Sequence, residues 1–239
     1  MTTFSYSIKP AVFSAHPEYR RGVVVFRGLD NSRAVPEVTR QLRESEAAFR
    51  ERVQGNPAEY PHIAAWRDAY RQFGAKPSEH RSAIEALGRR VLKPDSLPDI
   101  NTLVDIGNLL SLRYALPAGV HPITEHSRTL ELRRATEQDA FLAEPGQAPE
   151  AIAPNEIVLA SGNRVLTRRW TWRQAADTRT VEDTGFVFFD IDGLPPVTEG
   201  DVEAAMADLR QLVSQHCGGE CLGYAILDAQ QPNLSIRLD

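Results

Sequence analysis

The side chains best equipped for chemistry are few and scattered along the chain. Asp190 and Asp192 stand two apart in FVFFDID, residues 186–192, which is apolar enough to read as a strand. Both carboxylates then point to the same face. Two carboxylates can hold a cation, but nothing near them in sequence completes a coordination shell, so neither a metal nor a cofactor is expected. Asp192 reads as a strand-end carboxylate. Asp190 follows Phe188 and Phe189 inside the strand, so it sits on an outer face or lines a pocket. RRWTWR, residues 168–173, interleaves arginines with Trp170 and Trp172. In an alternating strand the two tryptophans share one face and Arg169, Thr171 and Arg173 share the other. Guanidinium and indole groups suit phosphate contact and base stacking. The competing reading, an aromatic core face backed by a solvated basic face, is favoured by composition alone. His121 has no cysteine or serine nucleophile spaced to work with it, and a lone histidine after a turn is ordinarily a surface or hydrogen-bonded residue. His216, Cys217 and Cys221 are too few for a closed zinc site and read as a histidine beside free thiols.

The elements that must position these groups follow from hydrophobic period. In INTLVDIGNLLSLRYALPAGVHPIT, residues 100–124, Leu103, Ile106, Leu110 and Tyr114 share one helix face, and a proline-glycine turn then leads to His121. Asp105 and Asn108 are neighbours on another side of that helix. Buried polar groups must find partners, so this stretch reads as site as well as core. Upstream, residues 4–8 alternate as an edge strand, and 23–29 form a β-branched strand closed by Gly28 and Asp30. Helices are expected over 36–53, 61–74 and 78–91. In the last, Ile84, Leu87 and Val91 form the apolar stripe, with Arg81, Glu85, Arg89 and Arg90 on other faces. Residues 130–142 look charged and peripheral, and 143–156 read as a long surface connection. Residues 157–170 form a hairpin turning at Gly162-Asn163. A helix capped by Thr198 carries Val202, Met206, Leu209 and Val213 inward, and strands at 222–227 and 234–238 follow. The expected class is mixed α/β, a single domain over 1–239 with N-terminal helices packed on a mixed sheet.

Bulk composition sets bounds. The 239 residues are 42% hydrophobic and 25% charged, with a formal net charge of −5, so contact with RNA must rest on a local patch. No apolar run is long enough to span a membrane, the first residues lack a signal-peptide layout, and two cysteines make no disulfide framework. A cytoplasmic protein is expected. Walker, GxGxxG, HExxH and GxSxG motifs are all missing from the sequence.

INTLVDIGNLLSLRYALPAGVH resembles the INxVVDxTN…QPLHAFD segment of the B3/B4 domain in the β subunit of bacterial phenylalanyl-tRNA synthetase. More closely, the chain is similar to free-standing B3/B4-domain proteins. The Arg81-Ser82 to Arg89-Arg90 helix, the tryptophan-arginine stretch 169–173, and Thr184 ahead of residues 186–190 also fit that pattern. The resemblance covers roughly residues 60–230 and leaves 1–59 as an N-terminal extension packed on the domain. It implies an editing-type activity, hydrolysis of misacylated tRNA in trans. The alternative is a non-catalytic module binding tRNA or an amino acid. Carried over residue by residue, the family's threonine-asparagine pair falls on Gly107 and Asn108, its histidine on His121 and its pocket glutamate on Asp190. His121, Asn108 and Asp190 are then the implied catalytic group, and Gly107, Trp170, Trp172, Arg169 and Arg173 the implied substrate contacts. The implied partner is a tRNA acceptor end, an aminoacyl-tRNA or a free amino acid, with neither DNA nor a membrane involved.

Overall fold

Helix starts are written locally in the sequence. Prolines at the first helical position, where a missing N–H costs nothing, open α1 (Pro10–Ala15), α2 (Pro36–Arg52) and α3 (Pro61–Gln72). Side-chain caps open the other three. Ser82 accepts from the Glu85 N–H ahead of α4 (Ala83–Val91), and Asn101 accepts from Val104 ahead of α5 (Thr102–Tyr114). Thr198 and Asp201 form a reciprocal capping box at α6 (Glu199–His216). The cap at Ser82 explains why α4 starts later than the expected residue 78. The fold is that of a computed structural model, which describes residues 2–94 and 96–238.

The strands, in chain order, are β1 (Thr3–Ile8), β2 (Arg20–Arg27), β3 (Ala118–Pro122), β4 (Thr129–Arg134), β5 (Ala140–Phe141) and β6 (Glu150–Ala151). They continue with β7 (Ile157–Ser161), β8 (Arg164–Arg168), β9 (Arg173–Gln174), β10 (Phe186–Gly193), β11 (Glu220–Leu227) and β12 (Asn233–Arg237). The mixed α/β class holds, with the strands divided between two sheets. The larger runs β12-β1-β4-β7-β8-β5-β6 with β9 paired to β8, and the smaller runs β11-β2-β10-β3. The first strand is therefore no edge: β1 lies between β12 and β4. Residues 130–142 are not peripheral either, because Leu130 and Leu132 of β4 are buried between β1 and β7. In both cases a polar alternate face made an interior strand look exposed in sequence. Within residues 1–59, β1 and β2 are interior strands of the two sheets.

Alternation along β10 builds two environments. Val187, Phe189 and Ile191 face one way and are buried in the core that includes Leu103, Ile106 and Leu110 of α5 and Leu209 of α6. Phe188, Asp190 and Asp192 face the other way. There Phe188 meets Phe4 and Tyr6 of β1, with ring centroids 5.5 and 6.0 Å away, so this face of the smaller sheet looks onto the larger one. Phe188, Asp190 and Asp192 thus lie between the two sheets.

Candidate functional site

Register decides which side chains meet. Asp192 pairs with Arg21 of β2, Asp190 with Gly119 of β3, and Phe188 with His121. Paired residues project to the same side, so Arg21, Gly119, His121, Asp190 and Asp192 converge on one face. They line a cavity of about 230 Å³, closed on the other side by Thr167, Trp170, Thr171, Trp172, Arg173 and Gln174 and at one edge by Ala83. At roughly 30 Å³ per water, that space suits a handful of waters or one ligand of amino-acid size. Glycine at 119 is required by close approach. A Cβ there would sit 2.6 Å from Asp190 Oδ1 and 3.1 Å from His121 Nε2.

The charges at the cavity floor are buried and interlocked. Arg21, 1% exposed, donates from Nε and Nη2 to the two oxygens of Asp192 at 2.6 and 2.8 Å. Its Nη1 donates to the Tyr6 hydroxyl and lies 3.4 Å from Asp190 Oδ2, while the Tyr19 hydroxyl donates to Asp192. Burial pushes both carboxylates up. For Asp190 the Arg21 guanidinium, His121 and the Gly119 N–H overcome it and bring the group down to about 2. For Asp192, burial and the adjacent Asp190 charge prevail over Arg21 and hold it above the ordinary carboxylate range. Acidification therefore reaches Asp192 first. Burial also raises the Tyr6 and Tyr19 phenols well above their usual range, so they serve as neutral hydrogen-bonding groups.

The proton on His121 is placed by Gln174. The Gln174 amide nitrogen donates to the carbonyls of Val120, at 3.3 Å, and Thr178, which fixes the amide orientation. The same nitrogen is 3.0 Å from His121 Nδ1; with two hydrogens for three acceptors and no lone pair to offer, it shares one hydrogen with Nδ1, which accepts. A neutral imidazole then carries its proton on Nε2, 3.6 Å from Asp190 Oδ2. That gap is too long for a direct hydrogen bond and leaves Nε2–H available to a ligand or water beside the carboxylate. Phe188 stacks against the ring, with centroids 4.8 Å apart at 12°, and holds its orientation.

The opposite wall departs from the strand expected over 168–173. β8 ends at Arg168, and Arg169 and Trp170 take left-handed backbone angles, with φ of 45° and 65°. This turn breaks the alternation and drives Trp170 inward, edge-on to Tyr19 at 4.7 Å and Trp66 at 5.2 Å. The basic face is not solvated as expected. Arg168 grips Glu156 with two hydrogen bonds of 2.9 and 3.1 Å and also reaches Glu150. Arg169 lies 3.4 Å from Glu156 and 4.4 Å above the Trp172 ring. Trp170, 1% exposed, lines the cavity, yet its Nε1–H has no acceptor among the described residues. Thr167 Oγ1, also on the cavity wall, is buried without a partner too. Unfilled buried groups of this kind mark a place where a ligand or water supplies the missing partner.

Of the site residues expected from sequence, His121, Asp190, Trp170, Trp172 and Arg173 meet at the cavity. Asn108, Gly107 and Arg169 are not among its lining residues. Asn108 is half-buried on α5. Gly107 faces the Phe189 ring and the Ala118 carbonyl, where an added Cβ would sit at an ordinary 3.9 Å. Arg169 borders a separate hollow with Glu156 and His80. Asp192, read as a strand-end group, is instead the main partner of Arg21. Sequence reasoning did not identify Arg21, Gly119 or Gln174. A signal for Arg21 existed, because two acidic residues on one face of an apolar strand require a buried cation. Among the described residues no group of three or more His, Cys, Asp or Glu is arranged to hold a metal, and no helix is long and apolar enough to cross a membrane.

The helix that carries INTLVDIGN leads directly into His121, and the B3/4 domain family profile matches residues 65–218. The chain belongs to the B3/4 domain family. No curated protein matches it. Among solved structures it is similar to an N-terminal fragment of the phenylalanyl-tRNA synthetase β-subunit from Pyrococcus horikoshii, with a TM-score of 0.44 and 10% identity. That match covers 92% of this chain and 49% of the other, so the chain spans about half its length. Arg21, Tyr6 and Tyr19 lie outside the span matched by the family. The cavity of this B3/4 chain is thus completed by its own N-terminal strands.

Proposed function

We propose that this B3/4 domain receives the aminoacylated end of a tRNA in the Asp190–Trp170 cavity and hydrolyses the ester. The observation that carries the reading is the polarity of the cavity. An ionised carboxylate, Asp190, and an indole N–H without an acceptor, Trp170, line one space of amino-acid size. An α-amino acid ester offers the matching groups, an ammonium for the carboxylate and a carbonyl for the donor. The ester is already activated, so positioning a water and stabilising the tetrahedral oxyanion provide the catalysis. Asp190 orients the ammonium and the water, and Trp170 Nε1–H with His121 Nε2–H supplies donors for the oxyanion. Arg173, which lines the cavity and donates to Glu144 at 2.6 Å, would meet the nucleotide in this reading. His121 acts as a donor because Gln174 occupies Nδ1.

That occupied Nδ1 also favours a second reading, binding without turnover, since a histidine whose Nδ1 already accepts a hydrogen bond has that nitrogen unavailable as a base. A deacylation screen over a panel of aminoacyl-tRNAs separates the two. Hydrolysis of at least one, with a loss of about 100-fold or more in Asp190→Asn at unchanged folding, supports the first. Saturable binding of a non-hydrolysable aminoacyl-adenosine analogue without any turnover selects the second. Neither binding nor hydrolysis overturns both.

A further inference from the structure

Helix α4 contributes to the cavity at one end and to a feature of different character along its length. Ala83, its first residue, lines the cavity and donates its N–H to the Thr171 carbonyl at 2.8 Å. The helix also borders an open groove of about 770 Å³ whose lining includes Arg81, Arg89, Arg90 and Lys93 and, among the described residues, no acidic one. The packing of α4 turns these cations outward. Gly88 lies so close to the Phe49 ring of α2 that a Cβ would meet it at 2.7 Å, which presses the apolar stripe of α4 onto α2. Behind the groove, buried Glu85 is approached by Arg67 at 2.7 Å, Arg89 at 2.9 Å and Arg81 at 4.0 Å, one negative charge against three positive. Arg90 and Lys93 are exposed, and among the described residues neither meets a carboxylate. A chain of net charge −5 thus gathers positive charge along the helix whose first residue lines its cavity.

We propose that the α4 groove binds the phosphate backbone of RNA, as the path by which a tRNA strand leaves the cavity. This rests on the tRNA reading of the cavity for its substrate, and on the groove alone for its chemistry. The groove is far larger than a single phosphate group, and its cations are strung along a helix rather than converging on one point. From Ala83 to Arg90 the helix rises roughly 10 Å at about 1.5 Å per residue. That length matches about three nucleotide steps at roughly 3.4 Å each along one strand. Guanidinium groups in a row suit successive phosphates, each contact releasing condensed counterions.

The test is binding of uncharged tRNA across a salt series, by wild type and by the Arg90→Glu/Lys93→Glu double variant. Both side chains are exposed and distant from the cavity lining, so folding and cavity chemistry stay intact. Hydrolysis or binding of an aminoacyl-adenosine, which has no phosphate backbone, reports on the cavity separately. We expect the double variant to lose tRNA affinity and to reduce the slope of log K against log salt by about 1.5, two contacts at roughly 0.7–0.9 each. Its behaviour toward aminoacyl-adenosine should match wild type. Unchanged tRNA affinity and salt slope overturn the groove even if the cavity hydrolyses esters. Groove-dependent tRNA binding by a protein inert toward aminoacyl-adenosine supports the groove and removes the reading of the cavity. Binding to phosphatidylserine vesicles with no binding to tRNA also overturns the proposal.

Discussion

Asp105 on α5 and Asp190 on β10 are equally hidden, each 5% exposed, yet their charge states diverge. Asp105 accepts a hydrogen bond of 3.1 Å from the Ile100 N–H, but burial outweighs it and, with Asp99 nearby, lifts the carboxyl to about 6. Burial acts on Asp190 in the same sense and loses, because Arg21 and His121 bring that group to about 2. Burial alone therefore predicts neither state. What differs is the supply of cations: β2 delivers a buried guanidinium to one carboxylate, whereas α5 leaves the other with little more than a backbone donor. Charge is stabilised at Asp190 in the cavity and penalised at Asp105 on α5.

The strongest way to break this contrast is Arg21→Met. Removing one partner leaves Asp192 and Asp190 buried without their guanidinium, and stability should fall by about 3–5 kcal/mol in denaturant unfolding. The double variant Arg21→Met/Asp192→Leu should recover part of that loss, because it removes a stranded charge along with its partner. A double variant no more stable than Arg21→Met would mean that the network contributes through shape rather than charge. The next effect, about 2 kcal/mol, is in the pH profile of wild-type stability. A carboxylate depressed in the folded state contributes stability above its ordinary pKa and loses it as pH falls from about 3.8 to about 2, which is the Asp190 limb. Asp190→Asn should remove that acid limb. An unchanged acid limb in that variant would show that Asp190 is not the group held down.

The helix and its buried stripe were legible in the sequence because they depend on neighbours within a few residues. Leu103, Ile106 and Leu110 are buried as their spacing required. The pairing that makes the cavity was not, because Arg21 and Asp192 are 171 positions apart and no local pattern records their register. His121 and Asp190, to which the resemblance pointed, line one cavity. It also drew attention to Asn108, whose helix serves to carry the chain into β3 rather than to line the site. Gly119, which the sequence shows only as part of the turn before His121, is the residue whose missing Cβ lets Asp190 approach His121. The turn at Arg169 and Trp170 was hidden for a different reason. Left-handed backbone is usually signalled by glycine or asparagine, and here arginine and tryptophan adopt it.

The smallest predicted effect is the one that isolates the unpartnered carboxylate. Because the folded-state value of Asp105 is raised, its contribution is most favourable below about 3.8 and is lost as pH rises through about 6. Asp105→Asn keeps an oxygen for the Ile100 N–H and removes the charge. Two terms oppose the gain. The group is partly screened by solvent, and it sits in the first turn of α5, where the helix dipole favours a negative charge by about 0.3–1 kcal/mol. The expected net result is about 1 kcal/mol of added stability at pH 7.5, shrinking to nothing at pH 3.5, where wild-type Asp105 is already protonated. Equal stabilisation at both pH values would trace the gain to packing or capping. Destabilisation at pH 7.5 would mean that the dipole and Arg43 outweigh burial, and Asp105 would then join Asp190 as a carboxylate held ionised by its surroundings.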